Sequence, residues 1–377
     1  MRNKTVRMIR LILLAFFLIA ITVIAYLHQT GTGALPSIHA LCPFGGLESF
    51  YTFFTTGSFV SKIFAGTMVL FFVALVLALV FRRSFCGLIC AFGALQEFLG
   101  MLGRKLMGGK QLIMPAAIDK PLRYLKYLIL AITVSFAFVT AGLWMERYDP
   151  WAAYAHLSTG LTNVWVMFPV GLILLAITIV GSIAFDRFLC KYICPAGAFY
   201  GLIGKISPYK VTRNIDACTS CGRCSEKCPM NIDVMNKTAV TSAECISCQK
   251  CVTSCPSKDA LSLKIANRSA QPGLVMILVL ALFFVPLAAS QSFGAFSGKG
   301  GGMGNEQPAK SGQKNGSADF SGIMGRTTIK EAAGIWGVDI KEAYRKLGVP
   351  ETVPENTRMK DIKNSVPSFD FEKLKGH

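Results

Sequence analysis

Apolar residues lie along this chain in long runs rather than at a helical or strand period. Five runs are nearly free of charge over about the 20 residues needed to cross roughly 30 Å of hydrocarbon: 8–27, 59–81, 124–144, 163–185 and 272–290. The pattern predicts five membrane-spanning helices. Arg2, Lys4, Arg7 and Arg10 also make the first run readable as a signal peptide, but its length and the lack of a small-x-small site after Tyr26-Leu27 favour a retained span.

Between the fourth and fifth runs, 208–269 turns polar and cysteine-rich, which predicts a small folded insert. Residues 291–321 shift to Gly, Ser, Lys, Asn and Gln, the composition of a flexible linker. Beyond it, Thr327 or Thr328 can cap a short helix through Ala333, and Asp339 another through Leu347, closed by Gly348 and Pro350. About 55 residues bury little core, so the end of the chain reads as a mini-domain of two or three short helices. Its two-helix pattern resembles a helix-turn-helix unit.

The membrane part repeats. Aligning 82–102 with 186–206, an offset of 104, superposes Arg83 on Arg187, Cys86 on Cys190, Ile89 on Ile193 and Cys90 on Cys194, with Gly93, Ala94 and Gly100 on Gly197, Ala198 and Gly204. Each half reads as span, outer loop, span and a cysteine pair at the inner end. The outer loops correspond as Cys42-Pro43-Phe44 against Asp149-Pro150-Trp151.

Charge then orients the helices. The net charge is +18 from 39 basic and 21 acidic residues, which in a soluble protein would suggest a nucleic-acid partner. Here 24 of the Lys and Arg fall in the N-terminal arm, 82–126 and 187–268, whereas the loops 28–61 and 145–161 hold only Arg147. This is the positive-inside pattern. It predicts a cytoplasmic N-terminus and a cytoplasmic segment 186–271, and five spans leave the C-terminal mini-domain outside, with no nucleic-acid role.

Of the 13 cysteines, eight sit in that reducing-side segment, which favours metal over disulfides. They form two identical runs, Cys218, Cys221, Cys224, Cys228-Pro229 and Cys245, Cys248, Cys251, Cys255-Pro256, each C-x₂-C-x₂-C-x₃-C-P. An iron-sulfur cube needs four thiolates; three come from one tight turn, and the fourth cysteine of each run ligates the other cluster. One [4Fe-4S] cluster is therefore assigned Cys218, Cys221, Cys224 and Cys255, the second Cys245, Cys248, Cys251 and Cys228. A pair of zinc sites also uses C-x₂-C, but two matching runs ending in proline point to cubes.

Cys86 with Cys90 and Cys190 with Cys194 are C-x₃-C pairs at inner span ends. In continuous helices, residues i and i+4 share a face, and the repeat would converge four thiols at the inner boundary of the bilayer. Such a site can hold an iron-sulfur cluster or cycle as thiol and disulfide; the alternative is four packed structural cysteines. In the outer loops, Cys42 stands alone, while His39, Glu48, Asp149 and His156 are chemically suited to a quinone site, or are simply interfacial polar residues. No histidine falls inside a span, so no haem is expected. Neither G-x-G-x-x-G after a strand nor a P-loop occurs, so nucleotide cofactors are not indicated.

At these residues the chain resembles the NapH/NosR-type membrane polyferredoxins over about 8–290. The resemblance rests on Cys42-Pro43-x-Gly45-Gly46-Leu47-Glu48, Phe85-Cys86-Gly87-x-x-Cys90-x-Phe92-Gly93-Ala94-Leu95-Gln96-Glu97, Tyr148-Asp149-Pro150, Cys190-x-x-x-Cys194-Pro195-x-Gly197 and the two ferredoxin runs. It implies electron passage between a quinone pool or soluble donor and a partner redox protein. Ala91 follows Cys90 where the family often has proline, and the fifth span and mini-domain go beyond four-span members.

The expected fold is mainly α: a polytopic helical bundle of five spans in two pseudo-repeats, with an α+β 2[4Fe-4S] ferredoxin-like insert and a helical mini-domain. The expected divisions are 1–207, 208–269, 270–291, 292–321 and 322–377. The expected role is an electron-transfer subunit of an inner-membrane complex rather than a stand-alone catalyst. A redox sensor or metalloenzyme maturation factor is the alternative, and a passive membrane anchor the third reading.

Overall fold

The structure, a computed structural model, describes residues 3–30, 42–47, 65–109, 112–140, 148–257, 259–292, 327–336, 338–350, 352–359, 361–362, 366 and 369. It is mainly helical and forms two compact units, Met1–Gly304 and Asn305–His377. The predicted linker, beyond Ser292, lies outside the described residues.

Long apolar runs become helices because only a helix satisfies its own backbone groups in lipid. Helix α1 spans Asn3–Thr30, about 42 Å long at 1.5 Å per residue. Met8, Ile12, Phe16, Ile19, Val23 and Tyr26 are exposed along one of its sides at helical spacing, a face suited to lipid. α2 (Ala65–Phe81) is followed by the one-turn α3 (Ser84–Leu88) and by α4 (Ala91–Leu106). Next come α5 (Ala116–Leu122), α6 (Leu125–Thr140), α7 (Pro150–Ala155), α8 (Leu161–Met167) and α9 (Pro169–Ala184). α10 (Phe188–Tyr192) and α11 (Pro195–Ile203) then repeat the pattern of α3 and α4.

The halves interlock: α4 of the first packs on α9 of the second, and α11 of the second packs on α2 of the first. α1 lies on α4, and the last long helix of this unit packs on α2.

Among the described residues, two helices are long and apolar enough to cross a membrane, Lys4–Gln29 and Pro272–Ser292. The second and third expected spans extend into 59–64 and 141–144, outside the described residues, and their described parts are the shorter α2 and α6. The fourth expected span is not one straight helix. It breaks at Phe168, where α8 and α9 meet at 117°. Pro169 explains this: proline drives the preceding residue out of the α region, and Phe168 sits at φ −134°, ψ 56°.

The insert is a four-stranded antiparallel sheet, order β2-β1-β3-β4, of β1 (Tyr209–Arg213), β2 (Ala239–Val240), β3 (Leu261–Ile265) and β4 (Arg268–Ala270). β1 pairs with β3 in the register Tyr209↔Ile265 through Arg213↔Leu261. Short helices α12 (Arg223–Glu226) and α13 (Lys250–Ser254) follow the middle of each cysteine run, and α14 (Pro272–Ser292) leaves the sheet.

The second unit carries α15 (Ile329–Trp336) and α16 (Ile340–Leu347). Thr328 and Glu331 form a reciprocal capping box, with Glu331 N–H donating to Thr328 Oγ1 (3.2 Å) and Thr328 N–H to Glu331 Oε2 (2.9 Å). Gly348, at φ +65°, closes α16. Ile329, Ala332, Tyr344, Leu347, Met359 and Ile362 make its core.

Candidate metal centres

In the insert both cysteine runs adopt the same turn. Ser220 (φ +51°) and Gly222 (φ +72°) flank Cys221, and Ser247 (φ +52°) and Gln249 (φ +59°) flank Cys248. Left-handed residues beside right-handed ones turn successive backbone N–H groups to one side, a geometry that favours anions. Cys218, Cys221, Cys224 and Cys255 line one cavity, with Pro256 and Arg213. Cys228, Cys245, Cys248 and Cys251 line another, with Pro229 and Val211. Each run thus sends three cysteines to one cavity and its fourth to the other. Among the described residues no three His, Cys, Asp or Glu side chains come close enough to share a single metal ion; four cysteines line each of the two cavities instead.

The first cavity is nearer water, since Cys221 is exposed. Burial in the second pushes the Cys228 thiol up to about 12, so a free thiolate there is disfavoured unless iron replaces the proton.

The membrane quartet is built differently from the sequence expectation. Cys86 and Cys190 lie in α3 and α10, but those helices end before the second cysteine of each pair. Cys90 (ψ 114°) and Cys194 (ψ 112°) instead cap α4 and α11, each sulfur accepting from the N–H three residues on, Gly93 or Gly197, at 3.4 Å. Pro195 explains the break at Cys194. Cys86, Cys90, Cys190 and Cys194 thus sit at the equivalent corners α3–α4 and α10–α11 of the two repeats. Burial raises the pKa of Cys90, Cys190 and Cys194, and charge on the neighbouring cysteines of both halves adds to it.

Two arginines exchange between the repeats. Arg187 donates to the Cys86 carbonyl at 2.5 Å, and Arg83 to the Cys190 carbonyl at 3.4 Å. Each guanidinium occupies the space over the other half's glycine: a Cβ on Gly93 would lie 2.9 Å from Arg187 Nη1, and one on Gly197 2.4 Å from Arg83 Nη2. Gln96 Nε2 donates to Cys190 Sγ at 3.2 Å.

Around the quartet, positive charge exceeds negative. Glu97 is met by Arg10 (2.6 Å), Arg187 (2.7 Å) and Lys250 (2.9 Å), while Glu244 is met by Lys126 (2.5 Å) and Arg83 (3.4 Å). Five cations share two carboxylates, and two of the five, Arg83 and Arg187, bond the carbonyls of Cys190 and Cys86. Unpaired buried charge is costly, so this surplus suits an anionic group, and an iron-sulfur cluster held by four thiolates is one. Among the described residues, buried side-chain atoms without a partner at these corners include Arg83 Nε, Arg187 Nε and Ser84 Oγ, each able to donate.

The family described as a 4Fe-4S binding domain matches 64–110 and again 167–214, one match in each repeat, and the 4Fe-4S dicluster domain family matches 210–256. An uncharacterized protein of Methanocaldococcus jannaschii is 30% identical over 198 residues, 52% of this chain and 76% of that relative. The chain belongs to the NapH/NosR-type polyferredoxins. Among them, a protein of Escherichia coli named for electron transport, YccM, is 29% identical over 69% of this chain and 74% of its own length. The regulatory protein NosR of Pseudomonas aeruginosa is 27% identical over 39% of this chain but only 20% of its own length. No solved structure matches the chain.

In this polyferredoxin the insert is fixed to the membrane cysteines. A Cβ on Gly87 would fall 2.0 Å from the Ile246 carbonyl oxygen, so only glycine lets the turn between Cys245 and Cys248 rest on the turn after Cys86. Ser247 Oγ donates to the Phe81 carbonyl (2.8 Å), and Arg82 donates to the carbonyls of Tyr209 (2.9 Å) and Ser242 (2.7 Å). A cavity of about 500 Å³ opens beside Cys228, walled in part by Arg7, Arg104, Lys227, Asn231 and Lys250.

The polar residues expected in the outer loops have structural engagements. Asp149 caps α7, accepting from Trp151 N–H at 2.9 Å, and His156 ends it, its Nδ1 2.9 Å from the Ala152 carbonyl and its ring 4.8 Å from that of Phe168. His39 and Glu48 lie outside the described residues. Cys42 precedes a helical turn at 43–47, where Gly46 packs on Phe71. The sequence gives Glu97 only as the end of the first cysteine motif and offers no role for Glu244, although a single carboxylate beside a cysteine motif is the signal for a buried ion pair.

Proposed function

We propose that this chain conducts electrons along a line of three centres, two in the insert and one at the membrane quartet. In this reading Cys218, Cys221, Cys224 and Cys255 hold one [4Fe-4S] cluster, Cys228, Cys245, Cys248 and Cys251 a second, and Cys86, Cys90, Cys190 and Cys194 a third metal or redox site. When bound, iron-sulfur clusters supply one-electron transfer without proton chemistry. The chain's part is to present thiolates, exclude water from the inner sites and fix their separation through the Gly87 contact. The observation that carries the proposal is the sorting of the eight insert cysteines, four to each cavity.

The chain works as a subunit of an inner-membrane complex with five crossings, its N-terminus and insert cytoplasmic. Its exchange partners are a quinone pool or cytoplasmic donor on one hand and a partner redox protein on the other. The cavity beside Cys228 supports approach of a small carrier from the insert side. His39, Glu48, Asp149 and His156 remain the proposed quinone-facing groups of the outer side. A redox sensor or maturation factor is the second reading, favoured by the likeness to NosR, a regulatory protein.

Ligand exchange between the runs gives a direct test. Cys228→Ala should remove the centre of Cys245, Cys248 and Cys251, and Cys255→Ala that of Cys218, Cys221 and Cys224, read by EPR of the anaerobically purified chain. Loss of the run-local centre instead would refute the assignment. Iron should count about twelve per chain with the membrane quartet filled by a third cube, against about eight without one. Reduction or oxidation by a quinol analogue at catalytic speed favours conduction, and a slow response favours sensing.

A further inference from the structure

A side chain of the first repeat hydrogen-bonds a cysteine sulfur of the second. Gln96 stands on α4, the helix capped by Cys90, and is fully enclosed. Its Oε1 accepts from the N–H groups of Leu189 (3.0 Å) and Cys190 (3.3 Å) on α10, and its Nε2 donates to the Phe92 carbonyl (3.3 Å) and to Cys190 Sγ (3.2 Å). The two ends of the amide cannot be exchanged. Backbone N–H groups only donate and a carbonyl only accepts, so the oxygen faces Leu189 and Cys190 while the nitrogen faces Phe92 and the sulfur. Cys190 Sγ is therefore the acceptor of this bond.

A neutral thiol accepts weakly, whereas a bond to ionised sulfur is charge-assisted and roughly twice as strong. Two further sulfurs of the quartet take an N–H in the same way, Cys90 from Gly93 and Cys194 from Gly197, each at 3.4 Å. Donors of this kind orient and tune metal-bound ligands, and cysteines that only fill a core do not require them. The backbone pair obeys the repeat. Gln96 does not, because the offset of 104 puts Tyr200 at its equivalent position. The amide therefore singles out Cys190, and unlike a backbone donor it can be removed by substitution.

We propose that Gln96 is a positioning residue of the membrane quartet, seating the iron-bound sulfur of Cys190 with one N–H bond and thereby raising the midpoint potential of that centre. The inference rests on the third-site reading above. A donor to sulfur stabilises the more negative, reduced state, so removing it lowers the midpoint of that centre alone. Gln96 acts through the cysteine and touches no substrate.

The test uses the full chain in detergent, loaded anaerobically with iron and sulfide, as wild type and as Gln96→Met, which keeps the length of the side chain without its amide. Redox titration followed by EPR should show the midpoint of the membrane centre lowered in the variant, with the two insert centres and the iron content unchanged. Pulsed EPR of wild-type chain grown with glutamine labelled by nitrogen-15 at the side-chain amide should show a nitrogen coupling at the membrane centre, lost in Gln96→Met. A side chain that only ties α4 to α10 would leave the midpoint in place and give no coupling, and either result overturns the proposal. Should the variant fail to take up iron, the labelled wild-type chain decides alone, absence of the coupling overturning it. The two readings fail differently. About eight irons and no membrane centre refute the third site and this inference with it, whereas about twelve irons with an unmoved midpoint refute the role of Gln96 only.

Discussion

Removing the carboxylate of Glu97 strands three cations in the protein interior. Burial alone would raise this carboxyl's pKa, yet Arg10, Lys250 and Arg187 together hold it well below the usual carboxylate range. Taking one partner from a buried pair costs about 3–5 kcal/mol, because the remaining charges cannot return to water. Glu97→Gln should therefore lower the thermal stability of the detergent-solubilised chain by that order at neutral pH. A depressed folded pKa stabilises above the unfolded value of about 4.3 and loses its effect as pH falls toward the folded value. The gap between wild type and Glu97→Gln should be widest near neutrality and close below about pH 4. A gap independent of pH would mean that the side chain acts through packing rather than charge.

The element that transmits this order is the corner from Phe81 to Cys90, on which the insert rests. Gly87→Ala forces a Cβ toward the Ile246 carbonyl, and such overpacking costs about 1–3 kcal/mol. The expected result is an insert that keeps its iron but separates from the membrane quartet, read as slower electron exchange and faster proteolysis between Ser207 and Gln271. Retained exchange rates would remove this contact from the route. Much at this scale was legible before the structure. Hydropathy marked α1 and α14, and Thr327 or Thr328 and Gly348 marked helix ends through capping chemistry. The break at Phe168 was missed because Pro169 sits inside an unbroken apolar run. The cysteine pairs were read as i,i+4 neighbours because spacing does not show that Cys90 and Cys194 leave the helix to cap the next one. Glu97 and its arginines lie 87 and 90 residues apart in sequence, a separation that only the interlocked repeats close.

For the whole molecule, the number of crossings decides where the chain goes after Ser292. If only the two long helices cross, the ends of α1 and α14 bring the chain back to its starting side; five crossings leave it on the opposite side. α2 and α6, at 17 and 16 described residues, reach about 26 and 24 Å, short of the roughly 30 Å of hydrocarbon. The reciprocal packing of α4 on α9 and α11 on α2 joins the two repeats in one body, and the proposal of five crossings takes α2 and α6 as spanning within it. In that proposal the basic residues of α1's start and of the insert share the cytoplasmic side. Alkaline phosphatase, active only when exported, should be inactive when fused after Ser269 and active when fused after Ser292. Activity after Ser269 and none after Ser292 would leave an even number of crossings, and the broken pair α8–α9 would be the element to reassign, as a re-entrant turn that enters and leaves on the outer face.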